Sequence, residues 1–175
     1  SSSLDYRLKQ KFTFLLFNAL IFIFRDSSLI MGFYAACLIH EAGHVAAVYL
    51  TGGEVLSVEF GWTGIKMTAS APKNVRCALF VQLSGPAANL LTFLVLTAWG
   101  RSGYFAVFSL AEGLLNLLPY KFLDGGATLE LLAESSKNEK RFRFFNNLLR
   151  IFISISVGTF LFGELSKLIP NMFIY

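Results

Sequence analysis

The stretch CLIHEAGHVAAVYL, residues 37–50, sets two histidines and a glutamate inside an otherwise apolar run. An ionisable side chain in such a setting needs a partner or a task, because burying its charge alone is strongly unfavourable. His40 and His44 are spaced so that on a helix they share one face, one turn apart. Two imidazoles so placed can bind one Zn²⁺, and Glu41 flanks the same face, within reach of a water beside the ion. HExxH is a short pattern that occurs by chance. Here it gains weight, because the chain has only 2 histidines and both fall near the middle of an apolar span.

The remaining composition suits a membrane protein. Of 175 residues, 55% are hydrophobic and 15% charged, with 19 Phe; the mean hydropathy is +0.59. Soluble domains carry about 25% charged residues. The length suits a single domain, residues 1–175. The expected fold class is therefore an all-α polytopic membrane protein. The net charge of +4 does not point to nucleic acid, because the basic residues lie between apolar runs rather than in one patch. Cys37 and Cys77 sit in or beside apolar runs and read as reduced, buried thiols. No cleavable signal peptide is expected: the first apolar run is short, and RDSS after it is no small-residue cleavage site.

Apolar segments fall at about Phe12 to Phe24, Leu29 to Leu50, Cys77 to Trp99, Tyr104 to Pro119 with a resumption after Gly126, and Asn147 to Leu165. They predict about five membrane helices, the first of them short enough to be tilted, interfacial or re-entrant. After the histidine-bearing segment the period changes to two. Val58, Phe60 and Trp62 alternate with Glu59 and Gly61, and Ile65, Met67 and Ala69 alternate with Lys66, Thr68 and Ser70. That pattern predicts a small β-hairpin with its turn near Thr63-Gly64. ESSKNEKRFR, residues 134–143, reads as a charged loop beside lipid headgroups. If all five segments cross, Lys and Arg placement puts the N-terminus and the hairpin on the cytoplasmic side.

A catalytic zinc needs a third protein ligand. With no further histidine, a carboxylate is expected, and Glu112, Asp124 and Glu130 are the intramembrane candidates. Asp124 stands in NLLPYKFLDGG, where Pro119 interrupts a helix and Gly125 and Gly126 permit a sharp bend. Zn²⁺ with anionic Glu41 and Asp124 and two neutral imidazoles sums to zero charge, which eases the burial of each carboxylate.

Three motifs in this order, HEAGH, SGPAAN (Ser84 to Asn89) and NLLPYKFLDGG (Asn116 to Gly126), resemble the signatures of the site-2 protease family of intramembrane zinc metalloproteases. The resemblance covers about residues 29–132. It implies one zinc held by His40, His44 and Asp124, Glu41 as catalytic base, and Asn116 as a polar group near the active site. It implies supporting roles for Gly85, Pro86, Asn89, Pro119 and Gly125. It also implies a single-span membrane protein as substrate and a multi-pass membrane protein; the loop after the histidine-bearing segment is too short for the PDZ domain of some members and nothing resembles the C-terminal regulatory domain of others, so a compact form in a prokaryotic cell membrane is expected. Tyr120, Lys121 and Phe122 depart from the family pattern; Lys121 could pair with Glu112 or snorkel.

The chemistry follows from the residue types. Zinc makes water acidic and polarises a peptide carbonyl, Glu41 moves the proton, and Asn116 could donate to the oxyanion or satisfy the broken helix. The strand Val55, Leu56, Ser57, Val58, Glu59, Phe60, Gly61 could hold an unwound substrate along its edge or be a structural hairpin. SGPAAN reads as close helix packing first and site support second. The rival readings are a zinc transporter, which would need further metal stations, and an inactive scaffold that binds membrane helices.

Overall fold

A computed structural model describes residues 27–61 and 64–172, with side chains described for 27–58 and 67–160. The element order is α1 (Ser27–Leu50), β1 (Val55–Gly61), β2 (Gly64–Ala69), α2 (Val75–Ala98), α3 (Tyr104–Asn116), α4 (Asp124–Glu134) and α5 (Glu139–Met172). The described residues are mostly helical, with one two-stranded sheet. Helices α1, α2 and α3 pack pairwise, α4 rests on α2, and α5 rests on α4. The expected segment at Phe12 to Phe24 lies outside the described residues.

Local chemistry sets the boundaries. Helix α1 ends where Gly52 adopts φ 73°, with Gly52 N–H donating to the Tyr49 carbonyl and Gly53 N–H to that of Val48. This left-handed cap needs glycine. Asn74 caps α2 by accepting from the Cys77 N–H at 2.9 Å. Gly100, at φ 69°, closes α2 in the same way as Gly52 closes α1.

The interior is small and polar and the exterior large and apolar. Among the described residues the largest fully buried side chains are Asn89, Pro86 and Ser109, whereas Met31, Leu38, Leu91 and Leu94 are 57–62% exposed. A water-soluble core has the opposite distribution. Helices α1 and α2, 24 residues each, are long and apolar enough to cross a membrane by length and composition. Close helix contact relies on missing side chains. A Cβ at Gly43 would lie 2.5 Å from the Ser84 carbonyl oxygen and 2.9 Å from the Ala88 Cβ, so α1 and α2 approach nearly backbone to backbone.

Several elements differ from the sequence expectation. Helix α4 starts at Asp124 itself, not after Gly126, and α3 ends at Asn116, so Pro119 lies in the connection and not at the break point. Of the charged stretch 134–143, Glu134 ends α4 and only 135–138 is a loop. From Glu139 the stretch belongs to α5, a 34-residue helix, where Arg143 pairs with Glu139 at i,i+4. The hairpin is present, with Leu56 as an extra residue between the pairs Val55↔Ala69 and Ser57↔Thr68. Such a bulge bends the strand. Lys121 sits 3.7 Å from Glu130, so its carboxylate neighbour is Glu130 and not Glu112.

Candidate metal centre

The middle of α1 presents His40 and His44 toward α2 and the start of α4. Their rings meet edge to face, with centroids 4.8 Å apart, and both residues are buried. His40 Nε2 lies 2.9 Å from Asp124 Oδ2, His44 Nε2 lies 3.2 Å from the same oxygen, and the two Nε2 atoms are 3.2 Å apart. Among the described residues these three form the one group whose donor atoms could together hold a metal ion.

The partner of the far nitrogen decides what His44 offers. His44 Nδ1 lies 2.7 Å from the Val81 carbonyl oxygen, which can only accept. Nδ1 therefore carries the hydrogen, and in the neutral ring Nε2 points a lone pair into the triangle. Ser84 Oγ donates to the same carbonyl at 2.6 Å and stands beside the ring. A tetrahedral ion with bonds of about 2.0–2.1 Å keeps its ligand atoms about 3.3 Å apart. The observed triangle is close to that size, and two imidazoles with one carboxylate suit zinc.

The surrounding sequence leaves room for this cluster. A Cβ built on Gly85 would run into His44 Nε2 and would lie 2.8 Å from His40 Nε2, so only glycine lets α2 pass behind both rings. Pro86 follows, its ring in place of a backbone donor. The DGG sequence has a comparable reason. A Cβ at Gly125 would strike the Leu117 carbonyl, and one at Gly126 the Tyr120 carbonyl. The first turn of α4 is folded into the preceding loop, and Asp124 is its leading residue. Arg150 of α5 holds this loop from outside by donating to the Pro119 carbonyl and, at 3.2 Å, to Glu130.

The other expected site residues lie at varying distances from the triangle. Glu41, half-buried on α1, is near enough to His44, His40 and Asp124 to interact with their charges. Asn89 places Nδ2 3.3 Å from His40 Nδ1. Asn116 donates from Nδ2 to the Glu112 carbonyl at 3.1 Å, one turn back in α3, the helix-satisfying contact given above as its alternative. The strand Val55–Gly61 follows the C-terminal end of α1 and contacts that helix. Glu112 and the Val81 carbonyl were not expected from sequence in these places. Glu112 faces Cys37, Asn89 and His40, and a backbone carbonyl leaves no trace in residue type.

No protein-family model matches the chain. Over 109 residues the chain is 31% identical to a protein of Synechocystis sp. (strain ATCC 27184 / PCC 6803 / Kazusa) named "Putative zinc metalloprotease". That similarity supports a metalloprotease relationship. The aligned region covers 55% of this chain but only 29% of that relative.

Gly85→Ala keeps all three donor residues and crowds both imidazoles. It is expected to weaken divalent-metal binding roughly tenfold or more, read by chelator competition on the purified protein; unchanged affinity would show that α2 does not press on the rings.

Proposed function

We propose that the chain is an intramembrane zinc metalloprotease that hydrolyses peptide bonds within or near the transmembrane segments of single-span membrane proteins. The observation that carries this reading is the triangle of His40 Nε2, His44 Nε2 and Asp124 Oδ2, set midway along a 24-residue apolar helix. A metal buried at that depth has its substrate buried with it. The apolar exterior is read as lipid-facing, with α1, α2, the broken α3–α4 segment and α5 as membrane elements. The similarity to a metalloprotease and the Glu41 carboxylate beside the triangle support hydrolysis as the reaction.

In this reading His40, His44 and Asp124 hold one zinc per chain. When bound, zinc would supply a Lewis acid that polarises the scissile carbonyl and makes water acidic. Glu41 accepts a proton from the attacking water and passes it to the leaving amine, so that one water is consumed per bond cut. Small residues on α2 keep the rings fixed, and the helices around the site limit access of bulk water, which strengthens the electrostatics inside. Asn116 can leave the Glu112 carbonyl and donate to the developing oxyanion. A helical peptide bond is shielded by its own hydrogen bonds, so substrate must unwind. The outer edge of β1, unpaired among the described residues, offers backbone partners to an extended segment.

Glu41→Gln is expected to retain one zinc per chain and to lose roughly 10²- to 10⁴-fold in turnover. The assay is cleavage of co-reconstituted single-span proteins, with fragments mapped by mass. Cleavage at the wild-type rate would remove Glu41 as base. Retained zinc with no cleavage of any such protein by the wild type would favour a binding scaffold.

Proline substitutions along residues 55–61 are expected to impair cleavage in an alternating pattern, because every second N–H faces the outer edge and proline has none to donate. Zinc content serves as the folding control. A uniform response across the series would leave the hairpin with a structural role only.

A further inference from the structure

His40 is approached from behind by a wholly buried amide. Asn89 has no exposed surface. Its Nδ2 stands 3.3 Å from His40 Nδ1, while its Oδ1 is buried without a hydrogen-bond partner. A buried, unpaired carbonyl is costly. The two ends of a carboxamide have nearly the same shape, and their assignment rests on the surrounding hydrogen bonds. If His40 Nε2 gives its lone pair to a metal, Nδ1 must carry the ring hydrogen. An amide N–H would then face a ring N–H, and the two would repel. Turning the carboxamide end for end removes that clash and brings the oxygen to a donor, with the NH₂ group moving to the place the oxygen held; it is the metal-bound tautomer of His40, and not the orphan oxygen alone, that favours the turned amide.

We propose that Asn89 is the positioning residue of the metal centre: its carboxamide oxygen accepts the His40 Nδ1–H, which fixes the ring and keeps the Nε2 lone pair turned toward His44 and Asp124. The inference rests on the reading of His40, His44 and Asp124 as a metal centre. It gives the two histidines matching supports from the same helix. The Val81 carbonyl accepts from His44, and Asn89, about two turns further along α2, accepts from His40. Hydrogen-bonded ring nitrogens of this kind orient metal-binding histidines and raise their basicity. Glu112 is the rival acceptor. Its carboxyl faces both Asn89 and His40, and its Oε2 is buried without a partner.

The test uses the full chain in detergent micelles, Zn²⁺ affinity by chelator competition, and the visible spectrum of the Co²⁺ form. Asn89→Leu, similar in volume but without an acceptor, is expected to lose roughly 10- to 100-fold in affinity and to alter the Co²⁺ spectrum. Asn89→Asp keeps an acceptor oxygen and is expected to retain most of the affinity. A role in packing alone reverses that order, because leucine is tolerated where a buried carboxylate is not. Ring-¹⁵N histidine labelling of the zinc-loaded wild type should give two Nδ1–H signals protected from exchange, one for each of the 2 histidines. An unprotected His40 signal overturns the proposal even if the leucine variant fails to fold. Wild-type affinity in Asn89→Leu overturns it too, as does a loss confined to Glu112→Gln, which would transfer the role to Glu112. A wild-type protein that binds no Zn²⁺ while correctly folded would instead remove the underlying metal reading.

Discussion

The contact between His40, His44 and Asp124 brings three electron-rich atoms within 2.9–3.2 Å of one another. A neutral His44 cannot relieve the crowding with a hydrogen on Nε2 while its single ring hydrogen, on Nδ1, is engaged by the Val81 carbonyl. A positive centre among the three atoms relieves it fully, and a buried divalent ion suits two neutral imidazoles and nearby carboxylates. Much of the chain can be understood as what is needed to hold this arrangement inside an apolar helix. Gly85 makes space behind the rings, Gly43 lets α2 come close enough to supply Val81, Ser84 and Asn89, and the DGG turn delivers Asp124 from a separate helix.

The inverted distribution of side chains follows from the same demand. With the exterior facing lipid, as proposed, there is little hydrophobic drive for helices to associate, and contact depends on small residues and on polar groups that find one another. The buried positions are of the kind that reading needs: Ala36, Ala47, Gly85, Pro86 and Gly113 at the helix contacts, and His40, His44, Asn89 and Ser109 as polar groups within. Elsewhere on α4, Glu130 gathers Arg143, Arg150 and Lys121. Arg150 links that cluster to the Pro119 carbonyl, and through it α5 steadies the loop that carries Asp124.

The sequence made the histidine pair and its acidic partner legible because their chemistry is written in residue type and spacing. The helix of residues 27–50 and the hairpin were equally legible, since apolar runs and period-two alternation survive in a single chain. What escaped depends on three-dimensional closure. The helix start at Asp124 was hidden because glycine pairs suggest a bend, and only the Leu117 and Tyr120 carbonyls show that the glycines are instead wrapped inside the first helical turn. The long α5 was hidden because its charges read as solvated loop, whereas Glu139 and Arg143 pair along one helix face. Glu112, one of three acids weighed as a ligand, lies among Cys37, Asn89 and His40 and outside the group of three donors, a distinction that depends on how α3 rotates against α1. The bulge at Leu56 could not be anticipated, since it breaks the alternation that identifies the strand.

The central claim is that two imidazole nitrogens and one carboxylate oxygen surround a single zinc. X-ray absorption at the zinc edge, on protein purified without added metal, reports that shell directly. The account predicts one zinc per chain with only nitrogen and oxygen neighbours at about 2.0–2.1 Å and the outer scattering of two imidazoles, lost in His40→Ala and in His44→Ala. A sulfur neighbour at about 2.3 Å, which would bring in Cys37 or Cys77, or a correctly folded protein with no zinc, would contradict it.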